Sequence, residues 1–220
     1  MWDNEMITML ADGTWDTLYM TLMSTLFGYI LGLPMGILLA VTDKEGIRPN
    51  VFVYKILDFI ANLVRSIPFL ILLILVIPVT KAIVGQSYGP SATVVPLVIA
   101  AAPFIARMVE SSLKEVDQGV IEAAMSMGAG TASIIWKVLL AEARTSLLVG
   151  VTIAIGTILG YSAMAGVVGG GGLGDIAIRY GYYRYQTDVM IVTIVILVAL
   201  VQLLQGLGMM LSKKLDKRRA

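Results

Sequence analysis

The 220 residues are 58% apolar and 14% charged, with a mean hydropathy of +0.87, whereas soluble domains run at about 45 to 50% apolar and 25% charged. Such a chain is a membrane protein. With no Cys and no His, disulfides, His or thiolate metal sites, Cys nucleophiles and His general bases are all excluded. Sixteen basic and fifteen acidic residues leave a formal charge of +1, which carries no message about nucleic acid; only the placement of the charges informs.

The first 17 residues hold Asp3, Glu5, Asp12 and Asp16 and no Lys or Arg, the reverse of the basic start of a cleaved signal peptide. The N-terminus is therefore read as mature. A bilayer core about 30 Å thick takes roughly 20 apolar residues per helix. Residues 17–42, 145–174 and 189–212 carry no charged side chain, and the stretch from Ile56 to Arg107 is long enough for two more spans, divided at the polar run Lys81 to Thr93. The expectation is an all-α integral membrane protein, one domain over 1–220, with spans near 18–41, 56–79, 93–109, 146–168 and 189–211 and a loop over 110–144.

In the first span Gly28, Gly32 and Gly36 recur every four residues, a face on which another helix can approach closely where lipid removes the hydrophobic drive to associate. Packing within the chain is the default expectation; a thin five-helix bundle also favours a pathway built between two copies. Prolines 34, 68, 78, 96 and 103 and glycines 150, 156 and 160 fall within the spans. They are expected to interrupt them, freeing backbone groups that suit a transport pathway, or only to set kinks and close packing.

Five spans put the termini on opposite sides, and the distribution of basic residues chooses the orientation. With the N-terminus outside and the C-terminus inside, the inner segments hold Lys44, Arg48, Lys55, Arg107, Lys114, Lys137, Arg144, Lys213, Lys214, Lys217, Arg218 and Arg219, and the outer ones only Lys81, Arg179 and Arg184. Arg65 falls inside the second span, where a charge costs roughly 2.5 to 3.5 kcal/mol at mid-bilayer. It either pairs with Asp58 down the helix or snorkels, or it serves substrate passage.

The inner segment 110–144 is too polar to span, yet Ile134, Ile135, Val138 and Leu139 keep helical apolar spacing. A cytoplasmic helical hairpin fits it, and its length far exceeds the roughly 2 to 8 residues of a bundle connection, which points to docking of a cytoplasmic partner.

Gly169, Gly171 and Gly174 spell a literal G-x-G-x-x-G, but on the outer side of a span, without the strand and acidic partner that nucleotide binding needs. A tight external turn is the preferred reading, followed by Tyr180, Tyr182, Tyr183 and Tyr185 at headgroup level. No G-x-x-x-x-G-K-[ST] occurs, so ATP hydrolysis of the P-loop kind belongs to another subunit. The methionines are read as mostly lipid-facing or core filler, with Met164 as an adaptable apolar plug near the outer end of the fourth span.

Within the loop, Glu122-Ala123-Ala124-Met125-Ser126-Met127-Gly128, nine further residues and Val138-Leu139-Leu140-Ala141 resemble the EAA loop of ABC-importer permeases, with Ala141 where that pattern has proline. Arg65-Ser66-Ile67-Pro68-Phe69, the segment Ala101 to Glu110, and the run from Gly160 through Gly174 to Tyr182 resemble the methionine-uptake permeases over nearly the whole chain.

The resemblance implies a permease subunit with no catalytic site and no bound cofactor or metal, in a bacterial plasma (inner) membrane. Its implied partners are a second copy of itself, two ABC ATPase subunits that hold ATP and Mg, an external substrate-binding protein and membrane lipid, with no nucleic acid. Transport of methionine or a close relative would proceed by alternating access. Coupling is assigned to Glu122, Ala123, Ala124, Gly128, Ile134, Val138 and Leu139, and an outer gate to Met164 with Tyr161 and Ser162 beside it, Arg65 being a further pathway residue. In this reading Ala123 and Ala124 form a flat docking surface, the apolar positions of the second hairpin helix fill a partner groove, and Glu122 fixes the hairpin by a hydrogen bond or ion pair. Import of another small amino acid or substrate, or secondary transport driven by an ion gradient, are the competing expectations; a membrane enzyme has no residue cluster to support it.

Overall fold

The computed structural model describes residues 4–215. Asp3 of the acidic start and Lys217, Arg218 and Arg219 of the basic end lie outside the described residues. Among the described residues every regular element is helical.

Helix α1, Asn4–Thr42, has 39 residues and is about 58 Å long at 1.5 Å per residue, nearly twice the roughly 30 Å of a bilayer core. The expected span 18–41 falls in its second part; the first part carries Glu5, Asp12 and Asp16 and packs Leu10 with Leu173, Ile176 and Val189. A short connection, in which the Arg48 amide donates to Val41 O (3.0 Å) and the Asn50 amide to Thr42 O (2.9 Å), leads to α2, Val51–Ser66. Asn50 caps α2 in the usual way, its Oδ1 accepting from the Val53 amide at 3.1 Å.

Within the second span expected from 56 to 79, which Pro68 and Pro78 are expected to interrupt or kink, the chain breaks at Pro68. Helix α2 stops before Pro68, and α3, Phe69–Leu75, runs at 103° to it; α4, Ile77–Val84, follows with Pro78 in its first turn. Proline disfavours a helical residue before it, which places the bend. Only residues 85–89 form the turn expected over Lys81 to Thr93, because α5, Pro90–Lys114, begins at a proline, pre-set for a first helical position.

Helix α6, Gln118–Ser126, and α7, Thr131–Ile134, followed by a π-helical turn Ile135–Leu139 and α8, Leu140–Glu142, make a helical hairpin. Helix α9, Arg144–Ala165, leads through a 3₁₀ turn Gly166–Val168 to α10, Gly172–Ile176, a second π-helical turn Ala177–Tyr182 and α11, Thr187–Leu215. Among the described residues four helices are each long and apolar enough to cross a bilayer, and the bent α2–α3 pair makes five if it crosses as one.

The expected interruptions are fewer than the prolines and glycines suggest. Helix α1 runs through Pro34, α5 through Pro96 and Pro103, and α9 through Gly150, Gly156 and Gly160. Packing of α1, α5 and α9 on one another along their length outweighs the local cost of about 3 kcal/mol for an internal proline.

The core lies between α1, α5 and α9, where Met20, Leu97, Ile105, Val109 and Ile158 are all but inaccessible. The glycine stripe of α1 meets α5 of the same chain. A Cβ on Gly32 would lie 2.6 Å from Ala102 O, and one on Gly36 2.5 Å from Ala106 O and 2.6 Å from Val109 Cβ. Backbone against backbone cannot yield as a flexible side chain does. Gly36→Ala is therefore expected to push α1 off α5 at a cost of about 1 to 3 kcal/mol, read as a lower thermal midpoint in detergent. Gly160→Ala, where nothing lies within 4 Å, should leave the midpoint in place.

Candidate functional site

The hairpin is built from local signals. Asp117 caps α6, its Oδ1 accepting from the Gly119 amide at 2.8 Å. At the other end the Gly128 amide donates to Met125 O (2.9 Å) and the Ala129 amide to Ala124 O (3.1 Å), with Gly128 at φ +79°. This is the Schellman pattern, in which a left-handed glycine satisfies the last helix carbonyls.

Helical spacing then divides the residues assigned to coupling. Ile121 and Ala124 face inward and join Ile134 and Leu139 in the core shared with α5 and α9. Glu122, Ala123 and Gly128 are exposed, and Val138 is half-buried. Two expectations change accordingly. Ala123 and Ala124 do not share one outward surface, because adjacent helical positions point about 100° apart; and Ile134 and Leu139 are already buried in this chain, so neither is free to fill a partner's groove. The Glu122 carboxylate makes no ion pair among the described residues; only its backbone carbonyl is engaged, accepting from Ser126 Oγ at 2.9 Å. What the hairpin does expose is Met125, Met127 (81%) and Trp136 (68%). The last two were not singled out by sequence, though an apolar residue beside a turn glycine is a readable signal.

At the hairpin's root lies a charge cluster. Glu110 on α5 is 5% exposed and accepts from Arg107 Nη1 (2.7 Å), Lys114 Nζ (2.8 Å) and Tyr54 OH (3.2 Å). Arg107 also pairs with Asp58 and donates to Asn62 Oδ1 at 3.0 Å, while Lys114 pairs with Asp43 and stands 5.5 Å over the Tyr54 ring. One buried carboxylate thus joins α5 to α2 and, through Lys114, to the end of α1. A buried charge is tolerable only when so partnered.

The i, i+3 and i, i+4 spacing of Arg107, Glu110 and Lys114 was available in the sequence, whereas their partners across helices were not. Asp58 engages Arg107 rather than Arg65, since seven residues along a helix separate two side chains by about 10.5 Å. Arg65 is exposed and lines a cavity between α5 and α9. A second cavity of about 210 Å³, lined by Asp43, Lys114, Ile121, Met125 and Leu139 among others, separates the cluster from the hairpin.

Asp43 lies in the connection after α1. The Lys114 hydrogen bond holds its carboxyl below the ordinary 3.8, against the opposing effect of partial burial. A carboxyl depressed on folding adds stability above its unfolded value and loses it as pH falls through the lower folded value. Acidification from pH 5 downward is therefore expected to destabilise the native chain more than Asp43→Asn, as compared by thermal midpoints across that range.

At the opposite end, Met164 is half exposed. Tyr161 is stacked on Phe69 (ring centroids 4.6 Å apart, 5° between planes), and Ser162 is buried with its hydroxyl donating to Leu159 O at 2.8 Å. Of the three residues assigned to the gate, Met164 alone presents an uncommitted side chain outward. The glycine run is a turn clasped by its neighbours: the Gly89 amide donates to Gly169 O (2.9 Å), and the Leu173 amide to Thr17 Oγ1 (2.9 Å). A Cβ on Gly174 would come within 2.1 Å of Ala163 O, so that glycine serves close helix packing.

Among the described residues, apolar helices long enough to cross a bilayer, a bent helix pair and a helical hairpin packed on their core make up the architecture of an integral membrane protein. The model of the binding-protein-dependent transport system inner membrane component family matches residues 32–217, and the chain belongs to that family. It is 50% identical over 210 residues to the probable D-methionine transport system permease protein MetI of Vibrio cholerae, covering 96% of this chain and 93% of the relative. It is 44% identical over 212 residues to the methionine import system permease protein MetP of Bacillus subtilis, covering 96% of each. Among solved structures, a chain of the MetNI methionine ABC transporter in inward-facing conformations superposes with a TM-score of 0.96 at 47% identity, covering 98% of this chain and 100% of that one.

Proposed function

We propose that this chain is the permease subunit of an ATP-driven methionine importer in the bacterial inner membrane, acting as a homodimer with two ATPase subunits and an external binding protein. The observation that carries this reading is the likeness, over almost the full length and including the hairpin, to a chain of a methionine ABC transporter. The N-terminus lies outside and the C-terminus inside, so the hairpin faces the cytoplasm.

Each hairpin docks on an ATPase through its exposed face, with Glu122, Ala123, Met125, Met127 and Trp136 outward. Its inner face, Ile121, Ala124, Ile134 and Leu139, is continuous with the bundle core, so displacement of the hairpin moves the bundle rather than bending a free loop. ATP and Mg sit on the ATPase, whose closure draws the two hairpins together and opens the bundle outward; hydrolysis relaxes it inward. Such a switch works only if the ATPase states bind the two bundle conformations with different affinity. Met164 closes the outer end.

Reconstituted with its ATPase and binding protein in proteoliposomes, the chain is expected to take up radiolabelled methionine only when ATP is present. Uptake by the chain alone along an ion gradient would sink this reading in favour of secondary transport. ATP hydrolysis stimulated by a different binding-protein ligand, without methionine uptake, would keep the machine and change its cargo.

A further inference from the structure

Threonine hydroxyls on these helices commonly donate to the carbonyl four residues back, as Thr17 does to Gly13 O (2.8 Å), Thr93 to Gly89 O (2.9 Å) and Thr193 to Val189 O (2.7 Å). Thr80 on α4 does not. It is 3% exposed, and its Oγ1 is closed off from solvent with no hydrogen-bond partner among the described residues. A buried hydroxyl in that position costs free energy unless something other than the protein satisfies it. Thr80 lines a cavity of about 10 Å³ together with Ser87, Thr93 and Gly170 and the apolar Leu73 and Pro96. A single water needs roughly 10 to 15 Å³ of such space and two to four polar partners.

The oxygens at this cavity divide into donors and acceptors. Thr80 has a hydroxyl hydrogen to give. Thr93 spends its own on Gly89 O and Gly170 O (2.9 and 3.2 Å), so a further partner can only donate to it, and the Ser87 hydroxyl can do either. No charged side chain lines the cavity: a metal ion finds no counter-charge there, an anion no cation, and anything larger than water no room. We propose that this cavity is a binding site for one resident water, which accepts from the Thr80 hydroxyl and donates to oxygens of Thr93 and Gly170. Its place in the fold gives the water a task. Among the described residues no hydrogen bond joins α4 to α5 or to the glycine turn, so the water supplies the polar link between the last part of the broken second span and the turn that follows α9, at the end of the bundle away from the hairpin. The site does not depend on what the chain transports.

Thr80→Val keeps the shape of the side chain and removes the hydroxyl. If the hydroxyl holds a water, the valine variant loses that bond and its thermal midpoint in detergent is expected to fall by about 2 to 4 °C, the effect of one hydrogen bond in a chain of this size. If the hydroxyl is dry, the same change relieves a burial cost and the midpoint stays or rises. A density map of the permease in its complex, at a resolution that shows buried waters, is expected to hold a peak about 2.7 to 2.8 Å from Thr80 Oγ1, lost in Thr80→Val and kept in Thr80→Ser. The absence of that peak from a map in which other buried waters are seen overturns the site, and it does so even if the valine variant fails to fold. A midpoint for Thr80→Val at or above that of the unsubstituted protein also overturns it. So does a peak that forms only when sodium or potassium is added, which would make the occupant a cation.

Discussion

Glu110→Ala is expected to destabilise the bundle by about 3 to 5 kcal/mol, the usual cost of removing one partner from a buried ionic network. The substitution strips Arg107 and Lys114 of the carboxylate that each contacts within 2.8 Å, and Tyr54 of its acceptor. The two cations keep Asp58 and Asp43, which is why the loss is partial. At about 2 to 4 °C per kcal/mol for a chain of this size, the thermal midpoint in detergent should fall by roughly 6 to 20 °C. Glu110→Gln keeps the shape and an acceptor oxygen and should fall in between. A midpoint for Glu110→Ala indistinguishable from that of the unsubstituted protein would show that the cluster adds nothing to the fold.

That cluster marks the boundary of what the sequence discloses. Charge-free windows located α1, α9 and α11, and the apolar length after the polar run Lys81 to Thr93 located α5, because lipid imposes a length and a composition on any crossing helix. The hairpin was legible for a similar reason: the Gly128 turn and the apolar spacing beyond it are local signals. The bend at Pro68 was half legible. The proline was evident, but the apolar run continues past it to Val79, and hydropathy is blind to direction. Partners across helices were not legible at all. Asp58 has Arg65 as its sequence neighbour and Arg107 as its spatial one, 49 positions away. For the same reason Ile134 and Leu139 read as apolar residues seeking a partner, when tertiary packing had already supplied one in this chain. Met164 and Ser162 are two residues apart and face different surroundings, a distinction that depends on where Leu159 and the rest of α9 sit.

Gly128→Pro is expected to separate ATP hydrolysis from uptake, within the proposed function. Gly128 adopts φ +79° and donates its amide to Met125 O; proline is held near −65° and has no amide to donate. The Schellman turn must therefore open, re-aiming α6 against α7 at the one point where the two hairpin helices are joined. The site is exposed, and a Cβ there meets nothing within 4 Å, so the bundle core has no reason to unfold and membrane insertion and dimerisation should persist. With the docking face misaligned, closure of the ATPase no longer pulls the bundle, and a loss of only about 1.4 kcal/mol of coupling would already cut uptake tenfold. Gly128→Ala is the discriminating control. It keeps the amide and meets no neighbour, and it carries only the left-handed strain of about 1 to 2 kcal/mol, so its uptake should exceed that of the proline variant. Uptake and ATP hydrolysis are measured together in proteoliposomes; normal methionine uptake by Gly128→Pro would remove the turn from the coupling path, and equal loss in both variants would assign the effect to strain rather than to the direction of the hairpin.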